Sequence, residues 1–323
     1  MTRLVVPTDF SDFAQEALRF AVALRRRTGA EVHLLHVESP AVPLSPEAPV
    51  PPPSVPRAEV TAALRQQSKV ADTTPADLTF AIRTAYAIAP AILTYADEVG
   101  ADAIVTGTHG RRGLRRMMLG SVAEELVRTA PIDVLVTPLH EVPYSAHPAR
   151  NILVPLDLRE GSAALLAHAH RLARGLGSER VDLLHVLEPL PYPVRWLDEA
   201  VLDVVPTIRD RAAEALRAMA SGAGLDPGGV YVERGRPERV IRRVADALES
   251  DLLVLAPHEQ GRIERALLGS VAGEVARATE RPVLIARSLS DVPATEAMAP
   301  GDAAAAPTAS PDTASGVAEP HVS

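Results

Sequence analysis

The chain has 323 residues, which at roughly 100–200 residues per domain predicts two domains, and its 47% hydrophobic and 23% charged residues suit a protein with a buried core. The net charge of −8 argues against nonspecific nucleic-acid binding, and the lack of cysteine excludes disulfides, thiolate nucleophiles and Fe–S clusters. No long apolar run or signal peptide is apparent, so we expect a cytoplasmic protein that does not enter a membrane.

The first half of the chain alternates short apolar segments with amphipathic ones. Strands are predicted at Leu4–Pro7, Glu31–Val37, Leu78–Arg83, Asp102–Gly107 and Ile132–Thr137. Helices are predicted from Ser11, as N-cap, to Thr28 before Gly29, near Ala58–Val70, from Pro90 to Val99, and at Ser121–Thr129. Strands that are apolar throughout are buried on both faces, so this alternation predicts a parallel sheet with helices on both sides.

The chain repeats itself at a nearly constant offset. Four segments recur 148 or 149 residues later, among them LVVPTD at 4–9 as ILVPLD at 152–157, and MLGSVAEE at 118–125 as LLGSVAGE at 267–274. Such self-similarity indicates a duplicated domain. The predicted organisation is a first domain at 1–139, a linker at 140–149, a second domain at 150–288 and a tail at 289–323.

Two stretches fall outside the repeat. Residues 38–56 contain eight prolines and are predicted to form an extended, mobile insert in the first domain. Residues 289–323 are rich in Ala, Pro, Ser and Thr, with five acidic residues and no Lys or Arg, and we expect this tail to be disordered.

A glycine pattern follows the fourth predicted strand. Gly107 and Gly110 are followed, after nine residues, by Gly120 and Ser121 at the start of a helix. Glycines let the backbone approach an anion closely, and the first turn of a helix offers unpaired N–H groups and the positive end of its dipole. The pattern therefore predicts a phosphate-binding loop. It is not a P-loop, because no lysine follows Gly120 and the only lysine of the chain is Lys69.

These residues resemble the ATP-binding branch of the universal stress protein family over residues 1–138 and 150–287. The matches are Gly-x-x-Gly, nine residues, Gly-Ser, a first strand ending in Val-Pro-x-Asp at residues 6–9, and a strand end at His36 and Val37. The resemblance implies an α/β fold of two tandem, Rossmann-like, five-stranded parallel sheets of order 3-2-1-4-5, with helices on both faces. It also implies that the fifth strands pair edge to edge, Ile132–Thr137 with Val283–Ala286, as an internal pseudo-dimer.

In that strand order the ends of strands 1 and 4 flank the ligand crevice. The resemblance implies that Asp9 contacts the adenosine, that the backbone at Val37 faces the adenine, and that the glycine motif surrounds ribose and phosphates. The implied nucleotide-binding residues are Pro7, Thr8, Asp9, Val37, Gly107, His109, Gly110, Gly120, Ser121 and Val122. Alternatives remain open: the glycines as plain turn residues and Asp9 as a helix cap. Three readings are open for the arginines, which either steer phosphates, form a solvated loop or contact a partner: Arg111, Arg112, Arg115 and Arg116. His36 and the recurring His185 are interpreted as packed, hydrogen-bonded residues.

The second copy departs from the motif. Gly107 becomes Ala256, Thr108 becomes Pro257 and Gly110 becomes Glu259, which would remove an amide donor and place a negative charge beside the phosphates. We expect this copy to keep the fold and to have lost or much weakened nucleotide binding, although Asp157 and His258 leave a different small ligand open.

The sequence thus favours a regulatory protein rather than an enzyme, with ATP, ADP or AMP as ligand and Mg²⁺ as a companion of ATP. An unidentified protein partner and further pairing of two chains are compatible with it. Two alternatives are a slow ATPase and a ligand-free structural pseudo-dimer.

Overall fold

One sheet of ten strands runs through both halves of the chain in the computed structural model, which describes residues 1–40, 55–108, 119–139, 147–159, 161–188, 199–257, 270–287 and 289. The first half contains β1 (Arg3–Thr8), α1 (Asp12–Thr28), β2 (Glu31–Glu38), α2 (Arg57–Val70), a 3₁₀ turn (Pro75–Asp77), β3 (Leu78–Thr84), α3 (Ile88–Glu98), β4 (Ala103–Gly107), α4 (Ser121–Thr129) and β5 (Asp133–Thr137). The second half contains β6 (Asn151–Pro155), α5 (Ser162–Leu176), β7 (Arg180–Leu187), α6 (Glu199–Gly222), β8 (Gly229–Arg234), α7 (Pro237–Ala247), β9 (Leu252–Leu255), α8 (Ser270–Ala278) and β10 (Val283–Ile285).

The strand order is β3-β2-β1-β4-β5-β10-β9-β6-β7-β8, so each half has the predicted order 3-2-1-4-5. All neighbours within a half are parallel. The halves meet where β5 and β10 pair antiparallel, with Val136 opposite Val283 and Val134 opposite Ile285. This confirms the predicted pairing of the fifth strands, which covers two sheet edges that would otherwise be exposed.

Helices cover both faces of the sheet, as predicted. One apolar cluster packs α1, α2, α5 and α6 on one face, and a second packs α3, α4, α7 and α8 on the other. Successive residues of β4 serve different clusters, since Ala103 and Val105 belong to the first and Ile104 to the second. Strands buried on both faces therefore have to be apolar throughout.

The predicted helix boundaries are confirmed at α1, whereas the start of α3 differs from the prediction. Ser11 is the N-cap of α1 and accepts from Ala14 N, and Gly29 ends the helix at φ +72°. Helix α3 begins at Ile88, two residues before the predicted start at Pro90. Pro90 is tolerated there because N–H groups in the first turn have no intrahelical acceptor. Most of the predicted insert, linker and tail (41–54, 140–146 and 290–323) lies outside the described residues, whereas Leu289 packs against the first apolar cluster.

A polar cluster joins the two halves beside the antiparallel pair of β5 and β10. The carboxylate of Asp133, 4% exposed, lies 2.9 Å from His168 Nε2 on α5. Its Oδ1 accepts from the backbone N–H of Arg287, just after β10, at 2.7 Å. The equivalent of His168 in the first half is Phe20, so this cluster breaks the symmetry of the pseudo-dimer.

The N-terminal ends of β1 and β6 are held by equivalent carboxylates. Asp102 Oδ2 accepts from Thr2 N, from Thr2 Oγ1 at 2.8 Å and from Arg3 N at 2.9 Å. In the second half, Asp251 Oδ2 accepts from Asn151 N at 2.8 Å. Burial alone would raise the pKa of Asp102, but these N–H donors outweigh burial and hold the pKa below its usual value.

Candidate functional site

A crevice opens between β1 and β4 at the switch point of the first half. The two strands pair only at Leu4–Ala103 and Val5–Ile104. Beyond this point β1 stays paired with β2 as far as Thr8, and β4 stays paired with β5 as far as Gly107. The carboxyl ends of β1 and β4 therefore separate, which is where open α/β sheets bind ligands.

The turn after β1 positions Asp9. Asp9 Oδ1 accepts from the backbone N–H of Ser11 at 3.0 Å, and Phe10 between them has φ +66°. Thr8 is buried, and its Oγ1 accepts from Phe10 N at 3.0 Å and donates to Gln67 Oε1 at 2.8 Å. Ser11, not Asp9, is the cap of α1, so Asp9 sits half-buried just ahead of the helix.

The end of β2 forms the neighbouring wall. His36 Nδ1 donates to Thr8 O at 2.7 Å, and its ring lies 4.7 Å from that of Phe10. The second half repeats the contact, with His185 Nδ1 donating to Leu156 O at 2.8 Å. Both histidines are therefore hydrogen-bonded within the fold, as predicted. Val37 follows at the same edge and is half-buried.

Gly107 has a packing role that the motif does not indicate. A Cβ on this residue would lie 2.6 Å from Phe13 O and 2.7 Å from Phe13 C, in the backbone at the start of α1. Glycine is therefore required for the helix to approach β4. The sequence held a signal for this contact: at the repeat offset, Gly107 and Phe13 become Ala256 and Gly161. Gly161 has φ +100°, and α5 begins only after it, which makes room for the methyl group of Ala256.

Thr108 and Gly120 close the predicted phosphate loop at its base. Gly120 N donates to Thr108 O at 2.7 Å, and Thr108 N donates to Thr137 O at 3.1 Å. The amide that Pro257 lacks in the second half is thus a sheet donor and not a phosphate ligand, which corrects our prediction for that position. His109 and Gly110 lie outside the described residues, as do the four loop arginines, and their roles remain predictions.

Helix α4 presents its N-terminus to the crevice edge. Gly120 is the N-cap with no side-chain capping bond, and the first intrahelical bond runs from Glu124 N to Gly120 O at 2.8 Å. The N–H groups of Ser121 and Val122 precede that bond and have no acceptor inside the helix. Ser121 is exposed and is the first helical residue, so it does not cap α4. These amides and the helix dipole can bind an anion.

The second half contains a formed cavity at the equivalent place. Here β6 and β9 pair only at Ile152–Leu252 and Leu153–Leu253 before separating. A cavity of about 510 Å³ lies beyond that point, bordered by Asp157, Ala256 and Pro257. Asp157 Oδ1 accepts from Arg159 N at 3.0 Å, which repeats the Asp9 turn. Glu259 and His258 lie outside the described residues.

Sequence reasoning missed Gln67 on α2. Its side chain is 6% exposed and anchors Thr8, while its Nε2 has no hydrogen-bond partner in the described structure. Helix α2 follows the proline-rich insert, so no periodicity in the sequence links it to the end of β1.

Across the parts of the chain that the structure describes, no three His, Asp or Glu side chains are grouped to hold a metal ion. No described helix has the length and hydropathy to cross a membrane.

Comparisons with known proteins agree with this architecture. The model of the universal stress protein family matches residues 1–138 and again 148–287. A universal stress protein of Mycolicibacterium smegmatis is 27% identical over 301 residues, covering 88% of this chain and 96% of that protein. One from Methanocaldococcus jannaschii is 34% identical over 137 residues, covering 42% of this chain and 80% of that protein.

Among solved structures, a protein of Pseudomonas aeruginosa PAO1 described as functionally unknown shares the fold. It has a TM-score of 0.62 at 17% identity and covers 90% of this chain and 94% of its own. A universal stress protein of Archaeoglobus fulgidus has a TM-score of 0.58 at 16% identity and covers 88% of this chain and 96% of its own. The chain belongs to the universal stress protein family, and it carries two copies of the family domain in tandem.

Proposed function

We propose that the first half of the chain binds an adenine nucleotide, either ATP or its di- or monophosphate, in the crevice between β1 and β4. The protein then acts as a stress-response regulator and not as an enzyme. The observation that carries this proposal is that three features lie at the carboxyl end of the sheet: the Asp9 turn, the end of β2 at Val37 and the uncapped start of α4.

The start of α4 suits the phosphate end of the ligand. The N–H groups of Ser121 and Val122 have no acceptor inside the helix, and the dipole of α4 adds positive potential at the same place. Gly120 carries no side chain between these amides and the crevice. In this reading His109 and Gly110 complete the phosphate loop, with Gly107 and Thr108 shaping its base.

The ends of β1 and β2 suit the adenosine end. A carboxylate accepts hydrogen bonds from sugar hydroxyls, and the turn after β1 holds Asp9 in place through its contact with Ser11 N. Pro7 and Thr8 are the last two residues of β1, which leads into this turn. The backbone of Val37, one residue beyond the His36 contact to Thr8, lies beside them and would face the adenine.

A regulatory role is favoured over the slow ATPase. The sequence indicates no general base beside a nucleophile, and the single lysine of the chain, Lys69, is exposed on α2 and not in the phosphate loop. Mg²⁺ would arrive on the phosphates of the nucleotide. The proposed location is the cytoplasm, which supplies such nucleotides. A nucleotide in the crevice would alter contacts with a protein partner through the loop that joins Thr108 to Leu119.

The test is calorimetric titration of ATP, ADP and AMP into the full chain and into two matched variants. Asp9→Asn should weaken nucleotide binding about tenfold or more, since a hydrogen bond to a charged group contributes about 1.5–3 kcal/mol. Asp157→Asn changes the equivalent turn in the second half and should leave affinity unchanged. Equal effects of the two variants would contradict the proposal, and single-turnover hydrolysis above the buffer rate would contradict the non-enzymatic role.

A further inference from the structure

The cavity of the second half has the size of a small-molecule site. Its volume is about 510 Å³, within the range of roughly 300–1,000 Å³ that is typical of ligand pockets. It lies at the carboxyl ends of β6, β7 and β9 and is bordered by the first turns of α5, α7 and α8. The duplicated fold therefore places a second concave site where the glycine motif has been lost.

The walls of this cavity are mostly apolar. Buried side chains from four different elements and the segments that follow them line it, including Leu156, Leu165, Ile241 and Leu255. Leu289, after β10, lines the cavity from the side of the C-terminal segment. These apolar side chains offer no hydrogen bonds, but they can bury an apolar body of ligand size.

Three polar side chains that line the cavity carry hydrogen-bond acceptors: Asp157, His185 and Glu188. Asp157 Oδ1 already accepts from Ser162 Oγ at 2.7 Å, so that hydroxyl proton is committed. His185 donates its Nδ1 proton to Leu156 O, so Nε2 is the ring nitrogen that can accept a hydrogen bond from a ligand. Glu188, exposed at the end of β7, adds a second carboxylate.

The charged side chains that the structure describes at the cavity are more acidic than basic. Among the described residues, two carboxylates, Asp157 and Glu188, line it against one guanidinium, that of Arg159. An ammonium group carries three donors and a positive charge, so it complements carboxylates and an imidazole acceptor together. A phosphate would meet like charge at the same place.

We propose that the second-half cavity binds a small hydrophobic amine, with the apolar body among the leucines and the ammonium group against Asp157, Glu188 and His185 Nε2. This site is separate from the nucleotide crevice, which lies in the other half of the sheet. The chain is then a two-ligand protein, with one anion-binding and one amine-binding copy of the same domain.

The test uses tryptamine as the probe and indole-3-propionate as a carboxylate of similar size, each titrated into the full chain by calorimetry. Tryptamine should bind at one site, at least tenfold more tightly than indole-3-propionate. Asp157→Asn and Glu188→Gln should each weaken tryptamine about tenfold, since each removes a charge-assisted hydrogen bond. Asp9→Asn, the matched change in the first half, should leave tryptamine binding unchanged.

Three results would overturn the proposal: no tryptamine binding at millimolar concentration, equal affinity for the two probes, or affinity unchanged by both variants. ATP titrated in the presence of saturating tryptamine separates this proposal from that for the nucleotide. Independent binding of both ligands supports two sites, whereas competition between them would overturn the assignment of the amine to the second half. The preference between the two probes is measured on wild-type protein, so it stands even if a variant fails to fold.

Discussion

Replacing Gly107 with alanine would push a methyl group into the backbone of α1. The new Cβ would lie 2.6 Å from Phe13 O and 2.7 Å from Phe13 C, and neither atom can rotate away because both belong to the main chain. Relief requires α1 or β4 to move, and overpacking of this kind costs about 1–3 kcal/mol. The same movement would displace the turn that carries Asp9, so nucleotide affinity should fall together with stability.

The assay is urea unfolding of the full chain followed by circular dichroism. The matched control is Ala256→Gly, the reverse change in the second half, for which we expect a smaller loss of about 0.5–1 kcal/mol because glycine mainly costs backbone entropy. In a background of Phe13→Gly, position 13 can adopt the positive φ of Gly161 and move its main chain, so alanine at position 107 should cost less than in wild type. The packing argument fails if Gly107→Ala costs no more than Ala256→Gly.

Three further predictions concern single side chains. Asp102→Asn should lower the free energy of unfolding by about 1–2 kcal/mol, more than Asp251→Asn, because Asp251 accepts a single described hydrogen bond. The folded-state pKa of Asp102 is depressed, so this difference in stability should be present above about pH 4 and vanish as the pH falls. Urea titrations at several pH values measure it. His168→Phe removes the imidazole beside the buried carboxylate of Asp133 and should cost about 1–3 kcal/mol by urea unfolding, and no measurable loss would mean that the contact does not stabilise the fold. Gly110→Glu gives the first half the residue of the second and should abolish ATP binding in a calorimetric titration, and unchanged affinity would show that the loop is not at the phosphates.

The fold was readable from the sequence because its local signals agree with one another. Several of these signals act within a few residues: the apolar strand at 103–105, the Ser11 cap and Gly29. The repeat then predicts the elements of the second half from those of the first. The antiparallel pairing of β5 with β10 came from the family resemblance, since nothing local to Val134 or Ile285 indicates its partner.

The site was less readable because it depends on contacts between distant residues. The Gln67–Thr8 bond joins residues 59 positions apart across the proline-rich insert. The clash that explains Gly107 involves main-chain atoms of Phe13, which no residue pattern in the first half reveals alone. The second-half cavity arises where strands separate, and its apolar lining becomes visible only when the ends of three strands are brought together.

The most direct test of the account is a crystal structure of the full chain grown with ATP. We predict nucleotide density in the first-half crevice, with phosphates at the start of α4 beside Gly120 and the ribose beside Asp9, and none in the cavity bordered by Ala256. Nucleotide density in the second-half cavity with an empty first-half crevice would contradict it.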